Sequence, residues 1–150
     1  MKKITRFIPE NSTELHERFI RTMMLQGKKS IARKIWKNTL IEIAKKSSKN
    51  PEVVFDRAVE NTKPVMEVRP KRVGGAVYQV PMEVKPHRQL SLAFKWIIGA
   101  ARGMKGAPIF KRLASAILEA SDGQGPAVKK REDVHRMAQA NKAFAHLSKY

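Results

Sequence analysis

Apolar residues recur every three or four positions through most of this chain, and every second position in one stretch. That spacing predicts helices interrupted by a pair of strands. In the first helical run, Leu15, Phe19, Met23 and Met24 form the stripe. Asn11 is the expected cap, with Glu14 three residues on as its partner, and Gly27 is the stop. The second run follows Ser30 and carries Ile31, Ile35, Trp36, Leu40, Ile43 and Ala44. In the third, Asn50 caps, Pro51 takes the first helical position, and Val54, Phe55, Ala58 and Val59 face inward until Pro64. The fourth follows Pro86 and runs through Ala101. The fifth follows Pro108, with Phe110, Leu113, Ala114, Ile117 and Leu118 inward. The sixth is "GPAVKKREDVHRMAQANKAFAHLSKY", Gly125 to Tyr150.

The exception is "VMEVRPKRVGGAVYQVPMEV". Met66 and Val68 fall on one side of its first strand, and Glu67, Arg69 and Lys71 on the other. Tyr78, Val80, Met82 and Val84 alternate with Gln79, Pro81 and Glu83. Gly74 and Gly75 supply the turn, where positive φ is needed. Pro70 and Pro81 cannot donate to a ladder, so each strand belongs at an edge. A lone ribbon of this kind needs helices at its base and a partner along its length. The expected fold is therefore mainly α: one bundle-like domain over residues 1–150, six helices, and a two-stranded β-hairpin at 65–84 protruding between the third and fourth.

Charge changes the picture. The 150 residues carry 31 Lys and Arg against 13 Asp and Glu, a formal net charge of +18. So positive a surface opposes compaction unless a polyanion neutralises it, and nucleic acid is the usual one. An acidic membrane surface is the other candidate. No apolar run reaches the roughly 18 residues of a membrane span. Without cysteine there is no disulfide scaffold, thiolate zinc site or Cys nucleophile. The start, "MKKITRFIPENSTELHERF", lacks an apolar signal core, and Glu10, Glu14 and Glu17 are unlike a transit peptide. The expectation is a protein that works where it is made, or one whose presequence is missing.

On the fourth helix, Arg88, Lys95 and Arg102 stack within about 40° of one another, about 10 Å apart along the axis. Leu90, Ala93, Phe94, Ile97 and Ala101 lie roughly opposite, and no acidic residue stands between Val84 and Glu119. On the sixth, Arg131, His135, Lys142, His146 and Lys149 share one side, and Val134, Met137, Ala140, Phe144 and Leu147 the other. Lys129, Lys130 and Arg131 precede or open its first turn, where free N–H groups and cations would form an anion site. Glu132 and Asp133 compensate only in part. The hairpin carries Arg69, Lys71 and Arg72 near its tip beside Tyr78. Lys28 and Lys29 make a basic turn between the first two helices, and Lys2, Lys3 and Arg6 a short arm. The plain alternative throughout is a solvated face or an edge kept basic against aggregation.

Catalysis finds no support. His135 and His146 lie about 16 Å apart along a helix axis, too far to share a metal ion. No HExxH, phosphate loop or GxSxG occurs. Trp36 and the methionines at helical spacing read as core, and Trp96 sits at the margin between core and basic face. No cofactor or metal is expected, and no enzyme.

"QGKKS" (Gln26 to Ser30), "NPEVVFDRAVENTKPVMEVRPKRVGGAVYQVPMEV", "FKWIIGAAR" and "AVKKREDVHRMAQANKAFAH" resemble ribosomal protein seven of the small subunit, in its bacterial and organellar form. The resemblance runs from about Pro9 to His146. It implies a helical domain with a protruding hairpin. It also implies direct binding to the 3′ domain of small-subunit rRNA, nucleation of the subunit head, and a place near the E site and mRNA exit path. Neighbouring head and platform proteins, E-site tRNA and mRNA are the implied partners, without membrane or homo-oligomer. Carried over by motif, the RNA contacts are Lys28, Lys29, Arg69, Lys71, Arg72, Tyr78, Lys85, Arg88, Lys95, Arg102, Lys129, Lys130, Arg131, His135, Arg136, Lys142 and His146. Bacterial members usually have a longer basic arm and residues beyond "AFAH"; "GMKGAPIF" also departs from the usual basic linker. The trimmed tail looks organellar, so the expected place is a ribosome in the mitochondrial matrix, ahead of a plastid or the bacterial cytoplasm. The competing reading is an architectural DNA-binding protein using a basic β-ribbon and basic helix faces.

Overall fold

α1, Glu14–Met23, is the first helix in the part of the chain that the computed structural model describes, residues 7–149. Lys2, Lys3 and Arg6 lie outside those residues. α1 is capped by Thr13, whose hydroxyl accepts from the His16 N–H at 3.2 Å. The expected cap, Asn11, sits in the preceding turn. Thr13 has the extended backbone a cap needs, which leaves Glu14 at the first helical position. α2, Lys29–Lys46, starts one residue before Ser30 and has no side-chain cap. Gln26 and Gly27 both adopt positive φ in the tight turn between α1 and α2. Ile31 and Ala44, expected inward, are exposed, while Ala32 and Thr39 are buried. Thr39 was hidden from a hydrophobicity pattern because its hydroxyl is satisfied locally, donating to the Ile35 carbonyl at 2.7 Å.

α3, Pro51–Thr62, has the expected start: Asn50 accepts from the Glu52 N–H at 3.0 Å. Asn50→Ala should lower stability by about 1 kcal/mol, read from the urea midpoint. β1, Met66–Val73, and β2, Ala76–Glu83, pair antiparallel from Met66↔Glu83 to Val73↔Ala76. Gly74 and Gly75 close the hairpin at φ 58° and 85°, the two positive values of a two-residue turn. The register sets Glu67, Arg69 and Lys71 opposite Met82, Val80 and Tyr78. The charged side of one strand therefore shares a face with the apolar side of the other.

α4, Pro86–Gly103, and α5, Ile109–Ser121, follow the predicted pattern, and α5 packs against α2, α3, α4 and α6. Its Leu113, Ala114, Ala116, Ile117 and Ala120 are buried, and the alanines allow close approach. Phe19, Trp36, Phe55 and Phe94, one from each of α1 to α4, form the aromatic centre with ring centroids 4.8–6.1 Å apart. Edge-to-face contacts of this kind add to the burial term.

The last element departs most from expectation. α6 spans only Gly125–Ala140, and a 3-10 segment, Lys142–Lys149, replaces its end. Gly125 turns the chain at φ 89° and Pro126 takes an early helical position. Lys129, Lys130 and Arg131 consequently fall in the second turn, and no longer at the free N–H groups.

Candidate nucleic-acid interface

Folding divides the predicted contact residues into two sets. One set is bonded to other groups of the protein. Glu67, only 8% exposed, holds two arginines. Arg69 Nε donates to it at 2.8 Å, and Arg88 donates through Nε at 2.9 Å and Nη2 at 3.0 Å. Burial raises the Glu67 pKa, but the arginine hydrogen bonds and charges together hold it below the ordinary range. This clamp ties the hairpin base to the first turn of α4. Lys71 donates to the Leu147 carbonyl at 2.8 Å, and Tyr78 packs its ring on Phe144 at 5.2 Å. The 3-10 segment thus braces the upper hairpin. Arg102 donates to the Met23 carbonyl at 3.1 Å.

α6 turns its expected outer face inward. Arg131 donates to the Asn61 carbonyl at the end of α3, and His135 Nε2 accepts from the Val65 N–H at 2.9 Å. Met137, expected inside, is 56% exposed. The reason is backbone satisfaction: the end of α3 and the start of the hairpin leave polar groups that only polar side chains can meet. His135 is the neutral Nδ1–H tautomer in this bond; burial and then Arg131 lower its pKa. Lys29 lies 3.9 Å from Glu17, and Arg136 pairs with Asp133 at 3.2 Å.

The other set is Lys28, Arg72, Lys85, Lys95, Lys129, Lys130 and Lys142, all exposed. Among the described residues, none of them has a carboxylate oxygen within 4.0 Å. His146 is also exposed, with Nδ1 at 3.1 Å from the Ala143 carbonyl. Lys85 precedes α4 beside the Glu67 clamp, and Lys95 follows on its outer side. The Arg102 bond then ties the far end of α4 to the last residue of α1, five residues before Lys28. The outer side of α4 thus runs from hairpin base to α1–α2 turn as one cationic strip.

Two cations on α1 escaped the sequence reading. Arg18 donates to the His87 carbonyl at 2.9 Å and to Ser91 Oγ at 2.7 Å. With Arg21 and His87 it lines an open cavity of about 390 Å³ beside the start of α4. Their i, i+3 spacing was visible, but nothing in the chain order placed them next to α4. Among the described residues no group of three His, Asp or Glu side chains could hold a metal ion. Among the same residues no helix is long and apolar enough to cross a membrane. Spaced point charges on a fixed helix and a braced hairpin can attract an extended polyanion.

Residues 2–142 match the family model described as ribosomal protein S7p/S5e. The chain is 52% identical over 139 residues to the small ribosomal subunit protein uS7 of Pseudothermotoga lettingae, covering 93% of this chain and 90% of that one. It is 53% identical over 138 residues to uS7 of Dictyoglomus thermophilum, covering 92% and 88%. With uS7 of Vibrio vulnificus the figures are 51% over 138 residues, again 92% and 88%.

Proposed function

The chain belongs to the ribosomal protein S7p/S5e family, and on that premise we propose that it binds the 3′ domain of small-subunit rRNA directly and nucleates assembly of the subunit head. As a member of that family it is a structural component of the small ribosomal subunit and not an enzyme. The observation that carries the RNA reading is the strip along α4. Lys85 and Lys95 are exposed on a helix whose first turn is locked by Glu67 and whose last turn is locked to α1. Such cations neutralise phosphates without reorganising the protein.

In this reading the other exposed cations, Lys28, Arg72, Lys129, Lys130 and Lys142, extend the contact. The hairpin and last helix lie near the E site and mRNA exit path, beside a platform protein, with E-site tRNA and mRNA as further partners. The protein acts as a single copy, without a membrane. The relatives named above are bacterial, so a bacterial-type ribosome is the setting, and a mitochondrial one draws no support from them.

The DNA-binding alternative needs a ribbon free to enter a groove. Lys71 and Tyr78 are instead held by the 3-10 segment, which favours RNA. Titration of a 3′-domain rRNA fragment tests the choice, with duplex DNA as competitor at matched salt. With about 8 phosphate contacts, log K should fall against log salt with a slope of roughly −6 to −7. Equal affinity for the duplex would sink the RNA reading, and a slope near −2 would mean that most of these cations face water.

A further inference from the structure

Two apolar grooves of about 410 Å³ each meet at Leu25. Both share Met23, Leu25 and Ile35. One continues to Ile98 and Ile109 between α4 and α5, the other to Ile31 at the start of α2. Leu25 is 63% exposed and Ile31 53%, so a patch of large apolar side chains stands open next to the cationic strip. Scattered exposed apolar residues are ordinary, so the charge around this patch has to say what it is for.

The rim decides its occupant. Arg102 and Arg112 line the first groove and Lys28 the second, and neither groove is lined by an acidic residue. Arg112 is held by one bond, Nη1 to the Met104 carbonyl at 2.8 Å, and its Nε has no partner within the protein. That Nε is buried, so what Arg112 offers the groove is its fixed positive charge. A partner helix would bring an apolar stripe with mixed charges beside it. An unstacked nucleotide brings an apolar ring face and one phosphate on each side, which this floor and this rim both complement. We propose that the joined grooves receive one or two unstacked bases of the bound rRNA, with Leu25 and Ile31 under the bases and Lys28, Arg102 and Arg112 against the flanking phosphates. This rests on the rRNA reading above. It adds that part of the affinity is apolar and independent of salt.

The experiment is titration of the 3′-domain rRNA fragment with the full chain and with the double variant Leu25→Ser, Ile31→Ser. Both side chains are exposed, so thermal midpoints should be unchanged. The expected result is affinity weaker by about 10-fold or more with the same salt slope, the signature of lost apolar contact. Unchanged affinity beside a tightly binding wild type overturns the groove and leaves the rRNA reading standing. A loss that comes with a shallower slope overturns it too, since the serines would then be acting through phosphate contacts. Failure of the wild type itself to prefer the fragment over duplex DNA removes the premise. The chain has no cysteine, so Leu25→Cys carrying a photo-crosslinker reports one place only. In assembled subunits it should mark one or two adjacent nucleotides; a crosslink to a neighbouring protein would overturn the proposal.

Discussion

Arg33→Ala is expected to lower stability by about 2–3 kcal/mol, a large part of the roughly 5–15 kcal/mol of a whole domain. The reason is Glu17. It is 1% exposed, on the inner side of α1, and its carboxylate is held by Arg33 Nη2 at 2.9 Å, by Arg33 Nη1, and by the Ser12 hydroxyl at 2.8 Å. Without the guanidinium a buried anion keeps only a hydroxyl and Lys29 at 3.9 Å. Lys29 moderates the loss, which is why the figure sits below that for a fully isolated charge. In thermal unfolding the change should appear as a midpoint lower by about 5–10 °C. Lys34→Ala, a nearby exposed change, should stay within about 0.5 kcal/mol. If Arg33→Ala behaves like Lys34→Ala, the pair does not clamp α1 to α2.

The same pair sets an acid limit. Arg33's hydrogen bonds, ahead of every other influence, pull the Glu17 pKa down from 4.5 to about 2. The unfolded chain takes up a proton first, so the stabilisation is complete above pH 4.5 and lost as pH falls towards 2. At about 1.4 kcal/mol per pKa unit, the loss across that window is about 3 kcal/mol. Burial against Trp36 and Phe55 lowers the His16 pKa below 6.5, so a gentler decline begins below that pH. Arg33→Ala should flatten the lower step and leave the upper one.

Replacing Lys28, Lys95, Lys129 and Lys130 together by alanine is expected to weaken binding to the 3′-domain fragment about 10³-fold at 0.1 M salt. Each neutralised phosphate is worth about 0.7–0.9 in the log–log slope, or about 5–8-fold per contact at that salt. Four contacts multiply to about 10³, and the slope should become shallower by about 3. All four side chains are exposed and unpaired with acids among the described residues, so unfolding midpoints should hold or rise slightly as self-repulsion falls. A weakening of less than 10-fold would remove these lysines from the interface. Arg88→Glu is a poor probe of the interface. It would set a second carboxylate against Glu67 and loosen the hairpin at once.

The helices, the hairpin and its glycine turn were legible because local chemistry dictates them: Asn50 with Pro51, paired glycines, a period of two. What the sequence withheld were choices between equivalent local options. Thr13 and Asn11 both suit a cap, and only the chain's path selects Thr13. The inner side of α6 was misread because Arg131 and His135 are polar yet face inward, satisfying the Asn61 carbonyl and the Val65 N–H, groups distant in sequence. The basic character of the candidate interface was plain from net charge alone. Which cations stay free of a carboxylate was not, since Glu67 recruits Arg88 from 21 residues away.

The position of α5 bears on how the chain is made. α2 is finished at Lys46, but α5, which packs against α2, α3, α4 and α6, begins only at Ile109. Chains grow at about 5–20 residues per second, so the intervening 109 − 46 = 63 residues take about 3–12 s. For that interval the side of α2 that α5 will cover stays open, and those of α3 and α4 join it as they emerge. Mutual repulsion among their many lysines and arginines then serves the unfinished chain, delaying association until the central helix emerges and seals the core.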